Sequence, residues 1–134
     1  MQRELRTVEK GDVALAMFTA RLMGGGLAVL LPVSQMSRYD MAIDRGDKID
    51  RIQVKTGRLR NGAVVFNAYS ARYHRKKKDM NYRGQVEFFG VYCPDTDCCY
   101  LVPVDHVGVG HGYLRVDTPK NNHSKMRRAS DYKI

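Results

Sequence analysis

The chain has 134 residues, 43% of them hydrophobic, and its 23 lysines and arginines outnumber its 14 acidic residues, which gives a formal net charge of +9. This length predicts a single domain over residues 1–134, and the hydrophobic content excludes a disordered chain. No apolar run is long enough to cross a bilayer. The charge indicates a polyanionic partner, nucleic acid by default, although a basic protein without such a partner is also compatible with it.

The first predicted element is a helix over residues 9–23, because apolar residues recur there at helical spacing. Asp12 is the expected N-cap, and Gly24-Gly25-Gly26 is the expected stop. Two apolar strips run along this helix, which predicts burial on two sides. One strip contains Val13, Ala16, Met17, Ala20 and Met23, and the other contains Leu15, Phe18 and Leu22.

Short apolar runs separated by turn residues follow the helix, and they predict strands. Tyr39–Ile43 and Ile49–Lys55 are predicted to form a hairpin around Asp44-Arg45-Gly46-Asp47, and Asn61-Gly62 predicts a second turn. The other predicted strands are Leu27–Val33, Ala63–Ala68, Val86–Tyr92, Cys98–Val104 and Tyr113–Val116. The run at 86–92 is almost continuously apolar, as in a central strand. This order indicates an α/β sheet with few helices.

The hairpin carries the candidate site. Gln53 and Lys55 are two residues apart and therefore face the same side of a strand, and an antiparallel neighbour can bring Asp40 beside them. A carboxylate, an amide oxygen and an ammonium group suit a hard metal ion next to a phosphate. Asp40, Gln53 and the Val54 carbonyl would hold Mg²⁺, for which Mn²⁺ can substitute, and Lys55 would assist the attacking water. The alternative is an ordinary solvent-facing set of strand side chains.

Basic residues surround this cluster and make a candidate nucleic-acid surface. They are Arg38, Arg58, Arg60, Arg72, His74, Arg75, Lys76, Lys77, Lys78 and Arg83. Nearby tyrosines, among them Tyr69 and Tyr82, would stack on bases or pack in the core. Arg51 is expected to be a surface or DNA-backbone residue, Glu87 to pair with a nearby base, and Asp44 and Asp47 to serve the turn.

Two other site types find little support in the sequence. Cys93, Cys98 and Cys99 with the histidines do not have zinc-ligand spacing, and strand alternation sends Cys98 and Cys99 to opposite faces. Three cysteines without a recognisable secretory signal are most simply reduced thiols, so a cytoplasmic location is expected.

Several stretches together resemble the PD-(D/E)XK nuclease superfamily, and more narrowly its subgroup with Gln in place of the second acid, which includes a cyanobacterial group I intron homing endonuclease. The matching stretches are Lys10-Gly11-Asp12, Arg38-Tyr39-Asp40, Gln53-Val54-Lys55-Thr56-Gly57-Arg58, Val91-Tyr92-Cys93-Pro94 and Leu101-Val102-Pro103-Val104. The resemblance implies a restriction-endonuclease-like core, a central mixed β-sheet flanked by few helices. It also implies an Mg²⁺-dependent endodeoxyribonuclease of bacterial, archaeal or phage origin that acts as a homo-oligomer, a dimer or tetramer.

One position departs from the family pattern. The family usually carries a carboxylate on the first helix, and the aligned residue here is Leu15, which cannot bind a metal. Asp12 lies three residues earlier, on roughly the same helix face, and is the candidate substitute. Three interpretations remain open: an active homing-like endonuclease, a nuclease that resolves Holliday junctions, and a catalytically impaired copy that still binds DNA.

Overall fold

The computed structural model describes residues 2–69, 82–117 and 126–134. Helix α1 spans Thr7–Gly24. The strands in these ranges are β1 (Ala28–Leu30), β2 (Met41–Asp44), β3 (Ile49–Thr56), β4 (Arg58–Arg60), β5 (Ala63–Asn67), β6 (Phe88–Cys93), β7 (Cys98–Pro103) and β8 (His111–Arg115). Short 3-10 helices occupy Val104–His106 and Ala129–Asp131. No helix within the described ranges is both long and apolar enough to cross a membrane.

The main sheet has five strands in the order β1-β2-β3-β6-β7. β3 and β6 are parallel, and the remaining pairs are antiparallel, so the sheet is mixed, as predicted. The apolar β6 lies inside it, between β3 and β7, which confirms its prediction as a central strand. The predicted hairpin is also confirmed, since β2 and β3 pair directly and Gly46 takes a positive φ of 90° in the turn between them.

A second sheet of three strands, in the order β4-β5-β8, was not predicted. β4 was missed because Arg58-Leu59-Arg60 is short, exposed and mostly charged, and so carries no apolar alternation. It pairs with β5 across the predicted turn, where Asn61 and Gly62 both have positive φ, of 49° and 77°. Two consecutive positive φ angles are typical of the tight hairpin turn that Asn-Gly favours.

Helix α1 packs one face on the main sheet. Its buried residues are Ala14, Phe18 and Leu22, one turn apart. Gly90 of β6 permits this close approach, because a Cβ there would lie 2.9 Å from Ile52 Cγ2 and 3.0 Å from the Phe18 ring. The predicted strip that runs from Val13 to Met23 is not buried as a whole, because Met23 is 62% exposed. α1 therefore has one buried face, and the expectation of two was wrong.

The ends of α1 test two further predictions. The helix starts at Thr7, and its N-cap is Arg6, whose side chain makes no capping hydrogen bond. Asp12 is thus inside the helix, and its prediction as the N-cap was wrong. The glycine stop is confirmed, because Gly25 N–H donates to Arg21 O at 3.1 Å and Gly26 has a positive φ of 84°.

The core forms two clusters, one on each face of the main sheet. The first lies under α1 and includes Phe18, Ile52 and Cys99. The second, on the opposite face, is covered by the small sheet and includes Phe66, Val91 and other residues. Cys98 packs against the second cluster and Cys99 lies in the first, which confirms their predicted opposite orientation. The predicted strand Leu27–Val33 is shorter than expected, because only Ala28–Leu30 pair with β2.

Candidate active site

The candidate site is built where β2 begins beside β3. The register pairs Met41 with Ile52, and Asp40 directly precedes this pair. The Asp40 N–H donates to Ile52 O at 2.9 Å, so the backbone holds this position. Lys55 follows Gln53 by two positions and therefore shares its face of β3. The Asp40 carboxylate lies against the Val54 N–H, between these two residues, and its charge acts on Lys55, so the structure brings the three residues together. All three are partly buried.

This face is the one turned away from α1. In the parallel pairing of β3 with β6, Gln53 stands opposite Phe89 and Lys55 opposite Val91. Both partners belong to the core cluster on the far side of the sheet from α1. The three polar side chains thus border an apolar core, which lowers the local dielectric and strengthens their interactions with one another.

Asp40 is oriented by a backbone hydrogen bond. Its Oδ2 accepts from the Val54 N–H at 2.8 Å. This bond fixes the carboxylate beside β3, at the residue between Gln53 and Lys55. Hydrogen bonds to a charged carboxylate are roughly twice as strong as neutral ones, so the side chain is held in place before any ligand binds.

Lys55 is the most perturbed titratable group of the site. Its Nζ donates to Tyr69 O at 3.0 Å and lies 5.1 Å from the centroid of the Tyr82 ring. Burial lowers the pKa of Lys55 to about 8; the nearby Asp40 carboxylate opposes this change, and the Arg38 cation adds to it. A lysine of pKa about 8 is about one-tenth neutral at pH 7, and can exchange a proton under ordinary conditions.

Tyr82 is a residue of this site that sequence patterns did not assign. Its ring is 4% exposed and packs edge-on against Phe89. Arg38 Cζ lies 4.2 Å from the ring centroid, and Lys55 approaches the same ring, so one aromatic side chain contacts both cations. Arg38 also donates through Nε to Gln85 Oε1. In the sequence, Tyr82 is only a tyrosine near a basic stretch. That pattern does not distinguish a contact with cations from packing in the core.

A second charged pair lies farther along the same strand. Arg51 Nη2 and Glu87 Oε2 are 2.7 Å apart, and the Arg51 N–H donates to Glu87 Oε1 at 2.8 Å. The hydrogen bond from Arg51 lowers the pKa of Glu87 and raises that of Arg51. The predicted pairing of Glu87 with a nearby base is confirmed. Asp44 serves the turn as predicted, accepting from the Gly46 N–H at 2.9 Å.

The donor set can be tested for its fit to a metal ion. Asp40 offers a carboxylate oxygen, Gln53 an amide oxygen and Val54 a backbone carbonyl, so all the donors are hard oxygens. The described residues contain no group of three or more His, Cys, Asp or Glu side chains that could hold an ion. A single carboxylate with neutral oxygens suits Mg²⁺, which binds through one or two carboxylates and keeps several waters. The residues fit such an ion, with modest affinity.

The site departs from the family pattern on the first helix, where Leu15 stands in place of an acidic residue. Leu15 packs into the core cluster between α1 and the sheet. Asp12 is exposed, two residues before the buried Ala14. At 100° per residue this offset turns Asp12 about 160° away from Ala14, toward solvent rather than the sheet. The role of Asp12 in the site stays a prediction, and this geometry weighs against it.

The predicted DNA-binding residues fall into three groups. Arg58 and Arg60 are exposed on β4, and with Lys10 and Thr56 they line a groove of about 620 Å³ on the α1 side of the molecule. Lys55 is not among the residues that line it. Arg83 is exposed and lies near Asp105, with 3.9 Å between Nε and Oδ1. The residues that lie outside the described ranges are Arg72, His74, Arg75, Lys76, Lys77 and Lys78. Lys10 joins this basic groove only in the folded structure.

A mixed sheet that carries a fixed carboxylate beside a desolvated lysine is compatible with a nuclease. The chain belongs to the PD-(D/E)XK endonuclease family, whose model matches residues 5–134. Members of this family are endonucleases that depend on divalent metal ions. The family assignment and the fold class predicted from the sequence are thereby confirmed.

The structure is also similar to that of a bacterial homing endonuclease, I-Ssp6803I. The TM-score is 0.69 at 24% sequence identity, and the match covers 97% of this chain and 88% of that chain. This likeness shows the common fold. No curated protein matches the sequence.

Proposed function

We propose that the chain is an Mg²⁺-dependent endodeoxyribonuclease of the homing type, with Asp40, Gln53 and Lys55 as its catalytic residues. The observation that carries this proposal is the cluster itself: a carboxylate fixed by the backbone N–H of Val54, and a lysine beside it whose pKa burial lowers to about 8. Gln53 shares the face of this lysine. Mn²⁺ would substitute for Mg²⁺. The reaction is hydrolysis of a phosphodiester bond in DNA.

The roles follow from the chemistry of each group. Asp40, the Gln53 amide oxygen and the Val54 carbonyl would hold the ion, which when bound neutralises phosphate charge and polarises a water. Lys55 acts on the attacking water, because its neutral amine can accept a proton near neutral pH. Its protonated form also attracts the phosphate. Burial of this face excludes bulk water and strengthens both effects.

DNA would be held by basic residues outside the catalytic cluster, among them those of the groove on the α1 side. Lys10, Arg58 and Arg60 line it, and Arg38 and Arg83 would extend the positive surface. Phosphate contacts of this kind carry little sequence information, so they would set affinity and register rather than the target. A domain of this size contacts limited DNA, which favours a dimer or tetramer for paired cuts. Such an enzyme would act in the cytoplasm.

Cleavage assays with matched variants test the proposal. Supercoiled plasmid and a four-way junction are incubated with Mg²⁺, Mn²⁺ or Ca²⁺ and with the variants Asp40→Asn, Gln53→Ala and Lys55→Ala. Asp44→Asn is the control, since Asp44 lies at the other end of β2 and serves the turn. We expect cleavage with Mg²⁺ or Mn²⁺ that the control retains and that Asp40→Asn and Lys55→Ala abolish. Preference for the junction would redirect the proposal to a resolvase.

A second candidate function is favoured by Leu15, which packs in the core where the family carries an acid. In that case the chain is a catalytically impaired copy that binds DNA. It would bind plasmid with no cleavage under any of the three metals, and Leu15→Glu would gain activity. The same assays, with Leu15→Glu added, therefore separate the two candidates.

A further inference from the structure

The C-terminal segment closes a cavity between the two sheets. Residues 126–134 are joined to β8 by the Arg115 N–H, which donates to Arg127 O at 2.7 Å. They are joined to β7 by the Leu101 N–H, which donates to Tyr132 O at 2.9 Å. Between these two attachments lies a cavity of about 300 Å³. That volume is at the small end of the range for ligand sites.

Cations from three places in the sequence converge on this cavity. Arg115 comes from the end of β8, and Arg128 and Lys133 come from either side of the turn at Ala129–Asp131. Within the described ranges, none of the ion pairs involves any of the three. One carboxylate, Asp117, also lines the cavity, which leaves an excess of positive charge. Clustered like charges repel one another, and an anion bound between them relieves this repulsion.

The guanidinium of Arg115 is held ready for such an anion. Its Nη1 donates to Asn61 O at 2.9 Å. Its Nε is buried and has no hydrogen-bond partner in the structure as described. Buried donors normally have an acceptor, but this Nε has no surface open to the cavity. Arg115 also lines the cavity, so an oxyanion there would accept from the accessible part of the guanidinium. The hydroxyl of Ser130 adds a further donor to the lining.

We propose that Arg115, Arg128 and Lys133 form a second phosphate-binding site, which anchors the DNA backbone away from the bond that is cut. The site is separate from the catalytic cluster. Lys55 stands opposite Val91, and Val91 opposite Tyr100, which lines the cavity. Two strand spacings place these positions about 10 Å apart, with the fully buried Val91 between them. A phosphate in the cavity cannot be the scissile one.

The proposal rests on DNA as the substrate of this protein, but its test needs no cleavage. Binding of a short fluorescent duplex of arbitrary sequence is measured in Ca²⁺ over a range of NaCl concentrations. The variant is Arg128→Gln with Lys133→Gln, two exposed side chains whose loss leaves the core intact. The control, Arg3→Gln with Lys48→Gln, removes the same charge from exposed positions away from the cavity.

Counterion release sets the expected size of the effect. Each lost phosphate contact lowers the slope of log Kd against log salt by about 1 and weakens binding about 5-fold at about 0.15 M salt. The cavity variant should show this loss for both cations. The control should retain most of the wild-type slope. Equal changes in the two double variants, or no change in either, would overturn the proposal.

A second experiment distinguishes the DNA backbone from a free phosphate compound as the ligand of the cavity. Thermal unfolding is followed with inorganic phosphate and with a nucleoside monophosphate, for wild type and the cavity variant. Stabilisation that the cavity variant loses, combined with a DNA slope equal to the control's, would assign the cavity to a small phosphate compound and refute the DNA anchor. Absence of cleavage under any metal would count against the proposed function alone, since the anchor is scored by binding.

Discussion

Lys55 carries a desolvation cost in the folded protein, and this cost can be measured. Replacing Lys55 with Met keeps the length of the side chain and removes its charge, so the packing changes little. We expect Lys55→Met to abolish cleavage and at the same time to unfold less readily than wild type at pH 7. A gain in stability from the loss of an active-site residue is a sign that the residue was held there for function.

The magnitude follows from the pKa, which burial lowers from 10.5 to about 8. This difference corresponds to about 3 kcal/mol of destabilisation below pH 8. Met also leaves Tyr69 O without the donor it has at 3.0 Å. A lost partner of this kind costs about 1–3 kcal/mol. The expected net gain in the free energy of unfolding at pH 7 is therefore about 1 kcal/mol.

The pH dependence gives a sharper signature than the net gain. Between pH 8 and 10.5 the unfolded chain binds more protons than the folded protein, because Lys55 is already losing its proton in the folded state. Wild-type stability contributed by this group therefore rises with pH in that window, and the advantage of Lys55→Met shrinks. From pH 7 to pH 9 the advantage should fall by about 1 kcal/mol.

Urea unfolding at pH 7, 8 and 9 measures this difference, and subtracting variant from wild type cancels the titration of other groups. Lys48→Met is the matched control, because the Lys48 side chain is 63% exposed and its removal relieves no burial. If Lys55→Met is less stable than wild type at pH 7 and the gap does not change with pH, the desolvation of Lys55 is refuted.

Four further outcomes are expected. Log kcat/KM should rise with pH up to about pH 8, where Lys55 loses its proton. Lys55→Arg keeps the positive charge and should be inactive. Activity retained by Lys55→Arg would mean that Lys55 acts only through its charge. Gln53→Glu should lower the Mg²⁺ concentration for half-maximal cleavage about 10-fold by adding a charged oxygen ligand. Tyr82→Leu should lower kcat/KM about 10-fold through loss of two cation–ring contacts, while Tyr82→Phe stays near wild type, and equal losses would contradict this. Gly90→Ala should reduce the free energy of unfolding by about 1–3 kcal/mol, measured in urea, because its Cβ meets Phe18.

Most of the main sheet could be predicted from the sequence because its signals are local. Alternation and turn residues identify the hairpin of β2 and β3, and a period of two places Gln53 and Lys55 on one face whatever surrounds them. The apolar run at 86–92 identifies the central strand. β4 could not be found in this way, since Arg58-Leu59-Arg60 becomes a strand only by pairing with β5, and the second sheet was missed with it.

The candidate site divides along the same line. The sequence by itself determined the residue types, Asp40, Gln53 and Lys55, and the common face of Gln53 and Lys55. Only the tertiary structure decided that Lys55 is desolvated and that Tyr82 contacts it from a distant part of the chain. The same holds for Leu15, which packs between α1 and the main sheet. The tertiary structure alone also decided that Arg115, Arg128 and Lys133 line one cavity. Side-chain orientation within a strand depends on neighbouring residues, whereas burial, pKa and charge clustering depend on which distant segments the fold brings together.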